Sequence, residues 1–330
     1  MIASLAVDVL GSPVRVLVLI VGLLHAGAAF FYFSKARFGL VWAAIWLTIT
    51  LACLWIIPDN PIFGFGLIII AIVLWTLWWA TLRPSQARLW VADNAYQATG
   101  RIDGDHLTIS NLRNFDWHSR REITPVWETR QYELGKLTRL DLLSCTWGSE
   151  HMAHMIVAFG FTNQPPLAFS IETRRETSEQ WSSLAGFFKA YELIIIAADE
   201  RDVVRVRSIV RGEKVELYEI HATPLVRRRL LEKYVEDMNA LAVKPRFYHT
   251  IWTNCTTEIA RLVRMTGQRV PLDWRILVSG HVPEFLYRAR LIANDRPFAE
   301  IKRAADITEA AKAAIDAPDF SARIRKRVVA

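Results

Sequence analysis

Cys255 lies in FYHTIWTNCTTEIARL (247–262), where Thr253, Asn254, Thr256 and Thr257 form a short polar cap ahead of an amphipathic run. A thiol at a helix N-terminus meets free backbone N–H groups and the positive end of the dipole, both of which favour thiolate over thiol. The chain has three cysteines, and this one is placed best for a nucleophile. A buried cysteine without a partner is a small hydrophobe. Cys255 therefore needs a base within hydrogen-bond reach before it means chemistry.

The histidines after residue 82 are His106, His118, His151, His154, His221, His249 and His281. Only His154 opens a core strand expected from the pattern. His249 precedes the cysteine by six residues and reads equally well as a connector residue. HMIVAFGF (154–161), TNQPP (162–166) and LAFSIET (167–173) read as strand, five-residue turn and strand. Pairing Phe161 with Leu167 sets Ile156 opposite Glu172 and His154 opposite Arg174. Even-numbered side chains of both strands then share one face. Glu172 becomes a diagonal neighbour of His154 and can orient its imidazole, as the third group of a triad does. A one-residue slip would turn Glu172 away. It also reads as an exposed strand residue paired to Arg174 or Arg175.

An oxyanion formed at such a site would be held by the backbone N–H of Cys255, with Asn254 and Thr256 as nearby polar support. Both residues also read simply as helix caps. Cys53 and Cys145 sit in apolar runs and no CxxC pair exists, so neither a metal site nor a disulfide framework is suggested. No cofactor motif is present.

The elements that must carry these residues read as α+β. Strands are expected within 106–117, over 140–146, in the 154–173 hairpin, at 203–210 and at 215–220. A segment over 181–197 starts as helix and ends as strand. Leu225, Leu230, Leu231, Tyr234, Val235, Met238 and Leu241 recur at helical spacing, which predicts a helix over 224–241. The cysteine helix follows, and 304–315 reads as the final helix. DERDVVRVR (199–207) reads as a solvated, salt-bridged edge. One mainly antiparallel sheet is expected.

Composition divides the chain. Before residue 83 only Asp8, Arg15, Lys35, Arg37 and Asp59 are charged, although the whole chain carries +7. Three apolar runs, about 14–33, 38–57 and 61–82, have the ~20 residues of a bilayer helix and aromatic residues near their ends. The expectation is a three-helix transmembrane anchor over 1–82 and a soluble domain over 83–330. Lys35 and Arg37 after the first run and Arg83 and Arg88 after the third, against Arg15, would place that domain in the cytoplasm. The basic excess is dispersed, which argues against a nucleic-acid footprint and suits a domain near anionic lipid.

The chain also resembles the bacterial domain of unknown function 4105, whose best-understood member is the Lnb-type lipoprotein N-acyltransferase. The resemblance covers most of residues 88–310. It rests on ISNLRNFDW (109–117), TWGSEHMAHMIVAFGF (146–161), LAFSIETRRE (167–176), FFKAYELIIIAADERDVVRVR (187–207), FYHTIWTNCTTEI (247–259) and LDWRILVSGHVPEFLYRARLI (272–292). It implies a permuted papain-like or NlpC-like domain with histidine ahead of cysteine. Cys255 would carry an acyl chain from a phospholipid as a thioester and pass it to an amine such as a lipoprotein N-terminus, with His154 as base. Glu172 fits the orienting role only through the hairpin argument.

The resemblance implies the periplasmic face of a bacterial inner membrane, against the charge bias. This chain departs from the family in placing three apolar runs first and in having His249 where a smaller polar residue is expected. Membrane-bound cysteine peptidase or amidase and non-enzymatic membrane-linked module remain alternatives, because one fold serves many chemistries.

Overall fold

A computed structural model of the chain describes residues 13–33, 39–56, 61–120 and 122–326. Two compact units emerge, one of residues 1–88 with 175–192, the other of 89–174 with 193–330.

The first unit contains helices α1 (Pro13–Phe33), α2 (Gly39–Ile56) and α3 (Pro61–Thr81). Gly22 lets α1 approach α2, since a Cβ there would fall 2.2 Å from Thr50 Oγ1. His25 packs on Trp46 and Trp75 with ring centroids 5.2 and 4.8 Å away. Among the described residues no helix is long and apolar enough to cross a membrane, which overturns the expected three-helix transmembrane anchor. Lys35 and Arg37, two of the four charges behind the cytoplasmic reading, lie outside the described residues.

The second unit is α+β, as expected, around an eight-stranded, mainly antiparallel sheet. Its strands are β1 (Thr99–Asp103), β2 (His106–Arg113), β5 (Trp127–Glu133), β6 (Leu137–Thr146), β7 (Ala153–Phe161), β8 (Gln164–Arg174), β9 (Glu192–Asp199) and β10 (Lys214–Glu219). The order is β1-β2-β9-β8-β7-β6-β10, with β5 also on β2. A separate small pair joins β3 (Asp116–Trp117) to β4 (Ile123–Thr124). Strand alternation gives the central sheet two apolar faces. Met155, Val157, Phe159, Phe169 and Ile171 pack with Leu231, Tyr234 and Leu262 on one. Ile156, Ala158 and Ala168 pack with Val203, Val204 and Ile307 on the other.

The β7–β8 hairpin is tighter than its sequence suggests. Phe161 pairs with Gln164, so only Thr162 and Asn163 form the turn, and Asn163 adopts φ 57°. Pro165 and Pro166 thus sit in the strand rather than the turn, beside a register shift between Phe159 and Phe161. Such an irregularity accommodates residues that cannot donate to a ladder. The observed pairs Ile156–Ser170 and Phe159–Leu167 differ from the expected register by two residues. A two-residue slip preserves the faces.

Residues 203–210, expected as a strand, form instead α4 (Glu200–Arg205) and a π-helical turn, Val206–Val210. Asp199 caps this helix by accepting the Arg201 N–H. Asp202 is fully buried and takes hydrogen bonds from the Arg113 guanidinium, Phe115 N–H and Trp117 Nε1. A buried carboxylate needs such partners, and helix geometry delivers it to them where alternation would not.

Helix α5 (Pro224–Val243) matches its prediction, with Thr223 as N-cap and Leu230, Leu231, Tyr234, Val235, Met238 and Leu241 buried. Helix α6 (Cys255–Met265) follows. The chain then forms α7 (Trp274–Leu277), α8 (Val282–Arg288), α9 (Phe298–Ala304), α10 (Thr308–Ala314) and α11 (Phe320–Arg325), so the helix expected at 304–315 is not the last.

Candidate active site

Cys255 is the first residue of α6 and is buried. Asn254 caps the helix: its side-chain oxygen accepts the N–H groups of Thr256 and Thr257, and Thr257 Oγ1 accepts the Asn254 N–H in return. The Asn254 amide nitrogen donates to Thr250 O, and the Thr256 hydroxyl donates to Ile276 O at 2.6 Å. Both side chains are thus engaged in shaping the helix start and fastening it to α7. The backbone N–H of Cys255 has no hydrogen-bond partner among the described residues.

Burial pushes the Cys255 thiol up, against the opposing effects of the Met155 N–H, Arg207 and the Thr256 N–H. The helix terminus alone therefore does not make it a thiolate. This differs from the simple dipole expectation because desolvation of a buried charge outweighs a terminus effect that falls off within one turn.

His154 is the second residue of β7 and is buried. It pairs in register with Cys145 of β6, on the face opposite Met155. Continuing the β7–β8 register beyond Ile156–Ser170 brings Glu172 across from it. His154 Nε2 lies 2.7 Å from Ser170 Oγ, and Ser170 Oγ donates to Glu172 Oε1 at 2.8 Å. Nε2 itself is 3.6 Å from that carboxylate oxygen. Glu172 is bound by Arg207 at 2.9 Å, and Arg207 also faces Glu213 at 3.4 Å. Arg211 stands 3.9 Å from Glu213.

Electrostatics follow from this packing. Burial lowers the His154 pKa, with Arg207 adding to it and Glu172 opposing, to about 3. Burial would raise the Glu172 carboxyl, but Arg207, then His154 and Arg211, hold it well below its ordinary value. The resting site is a neutral thiol, a neutral imidazole and an ionised Glu172–Arg207 pair.

The thiol meets β7 at its backbone and packs in the core cluster that holds Met155. The sulfur accepts the Met155 backbone N–H, one residue from His154, where β7 and β8 cease to pair. The charges of Arg207 and Glu172 both act on it. Among the described residues no hydrogen bond joins the thiol to His154. Burial pushes the Tyr248 hydroxyl up, and negative charge at Cys255 or Glu172 would add to it.

The start of β7 is pinned from outside. Ala153 N–H donates to Ser279 Oγ, and Gly280 N–H donates to His151 O. A Cβ on Gly280 would lie 1.9 Å from Glu150 O, so that approach requires glycine. His249 serves the turn before Cys255, its Nδ1 accepting the N–H groups of Ile251 and Trp252. His151 pairs with His281 at 2.9 Å, and His118 with Thr124.

Ser170, Arg207, Arg211, Glu213 and Tyr248 were not singled out by the sequence. Ser170 was legible, because it shares the even face with Glu172 in SIE. Arg207 was hidden when its segment read as an exposed strand.

The second unit thus carries a buried thiol at a helix start and, on β7, a buried histidine linked through Ser170 to a carboxylate. Residues 124–280 match the family model described as the Lnb N-terminal periplasmic domain, a stretch that includes His154, Ser170, Glu172, Arg207 and Cys255. No curated protein and no solved structure matches the chain.

Proposed function

We propose that the chain is a thiol acyltransferase of the Lnb kind, acting in the periplasm on a phospholipid donor and an amine acceptor such as a lipoprotein N-terminus. The observation that supports it most is the chain of contacts from His154 through Ser170 to Glu172 and Arg207, in the same segment as Cys255 that is similar to the Lnb periplasmic domain.

His154 takes the thiol proton as Cys255 attacks the ester carbonyl of the donor. The new C–S bond forms, the ester C–O bond breaks, and His154 returns the proton to the departing alcohol, leaving a lysophospholipid. The acceptor amine then attacks the thioester. His154 removes the amine proton, the C–S bond breaks, and the proton returns to sulfur. No oxidation or reduction occurs. The unpartnered N–H of Cys255, at the positive end of α6, serves the oxyanion of both tetrahedral intermediates. Asn254 and Thr256 support that N–H as caps. Glu172 stabilises the imidazolium that forms, as the third group of a triad does.

A neutral pair suits this role. The thiol and imidazole exchange a proton during attack rather than resting as a reactive ion pair. Product analysis tests the reading. The full chain is mixed with phospholipid and a peptide bearing an N-terminal cysteine. Acylated peptide together with lysophospholipid is the expected outcome. Cleavage of the peptide without acylation would instead identify a peptidase or amidase, and no conversion of either substrate would leave a non-enzymatic module.

A further inference from the structure

We propose that Ser170 is a positioning residue that fixes the tautomer of His154, leaving Nδ1 as the nitrogen that takes the thiol proton; this rests on the thiol-transfer reading above. The serine hydroxyl has a single hydrogen and lies between two groups, 2.8 Å from Glu172 Oε1 and 2.7 Å from His154 Nε2. An ionised carboxylate only accepts, and Arg207 at 2.9 Å keeps Glu172 ionised. The serine hydrogen therefore belongs to Glu172. Its oxygen can then only accept from the ring, so Nε2 carries the imidazole hydrogen.

Neutral imidazole has one N–H and one lone pair. With the hydrogen on Nε2, the lone pair is on Nδ1, which no described group binds. Glu172 cannot impose this tautomer by itself, because 3.6 Å is beyond a hydrogen bond. Ser170 has no exposed surface, so water does not stand ready to replace its hydroxyl.

When Cys255 gives up its proton, the S–H bond breaks and an N–H bond forms at Nδ1. The positive ring then holds Nε2–H on Ser170, and the serine passes the influence of the Glu172 carboxylate to it. The proton leaves Nδ1 again for the leaving alcohol. Were the tautomer reversed, Nδ1 would already carry a hydrogen and could not receive one.

The test uses the full chain with 15N-labelled histidine at neutral pH. His154 is expected to show a protonated Nε2 and an unprotonated Nδ1. Ser170→Ala should give a mixture of tautomers and slow alkylation of Cys255, read by peptide mass mapping, by about 10-fold to 100-fold. Ser170→Thr keeps the hydroxyl and should keep the tautomer. Wild-type protein with hydrogen on Nδ1 would overturn the proposal, whether or not Ser170→Ala folds. So would Ser170→Ala with an unchanged tautomer and alkylation rate. Neither readout uses lipid. A fixed Nε2–H tautomer in a protein that never acylates would sink the transferase reading alone.

Discussion

His154→Ala is expected to slow acyl transfer by about 100-fold to 10,000-fold, the usual contribution of a positioned base. The loss should fall on the step in which Cys255 is acylated, because the thiol of this site rests protonated. Burial raises its pKa, and on the proposed mechanism His154 takes the proton during attack. At alkaline pH the variant should recover part of its alkylation rate, since hydroxide then supplies the thiolate without the imidazole. A site resting as a thiolate–imidazolium pair would behave differently, showing a rate plateau in weakly acidic solution.

The same residue gives the fold an acid sensitivity. His154 titrates at about 3 when folded against 6.5 in an open chain, so between those values the unfolded state binds the extra proton. Its contribution to stability is therefore fully present above 6.5 and is lost as pH falls toward 3. Glu172, held below its ordinary value by Arg207, loses its own contribution further into acid. In His154→Ala the stability profile should be flatter across the first of these windows, as read by urea midpoints at several pH values.

Arg207→Met is expected to be the most damaging substitution for the fold, at about 3–5 kcal/mol. Arg207 is buried and binds Glu172 and Glu213. Removing it leaves two partly or fully buried carboxylates to share Arg211, which stands farther off. Glu172 should then titrate at a higher pH, and the variant should regain stability on mild acidification, where the wild type loses it. The urea midpoint at neutral pH measures the cost. A shift worth less than about 1 kcal/mol would show that the ion pair is solvated and contributes as a surface pair does. Combining Arg207→Met with Glu172→Gln should restore part of the loss, because the unpaired charge is gone.

Much of this site was legible in the residues because it depends on parity. The even-numbered alternation of 154–160 and 168–172 survived a two-residue error in register, so His154 and Glu172 still share a face. The expected five-residue turn failed because Pro165 and Pro166 read as turn formers, while a register shift lets them remain in a strand. Helix α5 was plain because its apolar spacing and its Thr223–Pro224 start agree. Arg207 was not plain. VVRVRSIV alternates like a strand, but the buried Asp202 network and the Asp199 cap select a helix and a π turn. Those are tertiary demands that no local pattern records. The thiol was misjudged for a related reason: its helix position is local, whereas the desolvation that outweighs it comes from the packed core.

The central claim is that Cys255 carries the acyl group, and intact mass after incubation with phospholipid tests it most directly. The account predicts a gain of one acyl chain that hydroxylamine removes, absent in Cys255→Ser and much reduced in His154→Ala. An adduct that persists in Cys255→Ser, or wild-type protein that stays unmodified by any phospholipid, would contradict it.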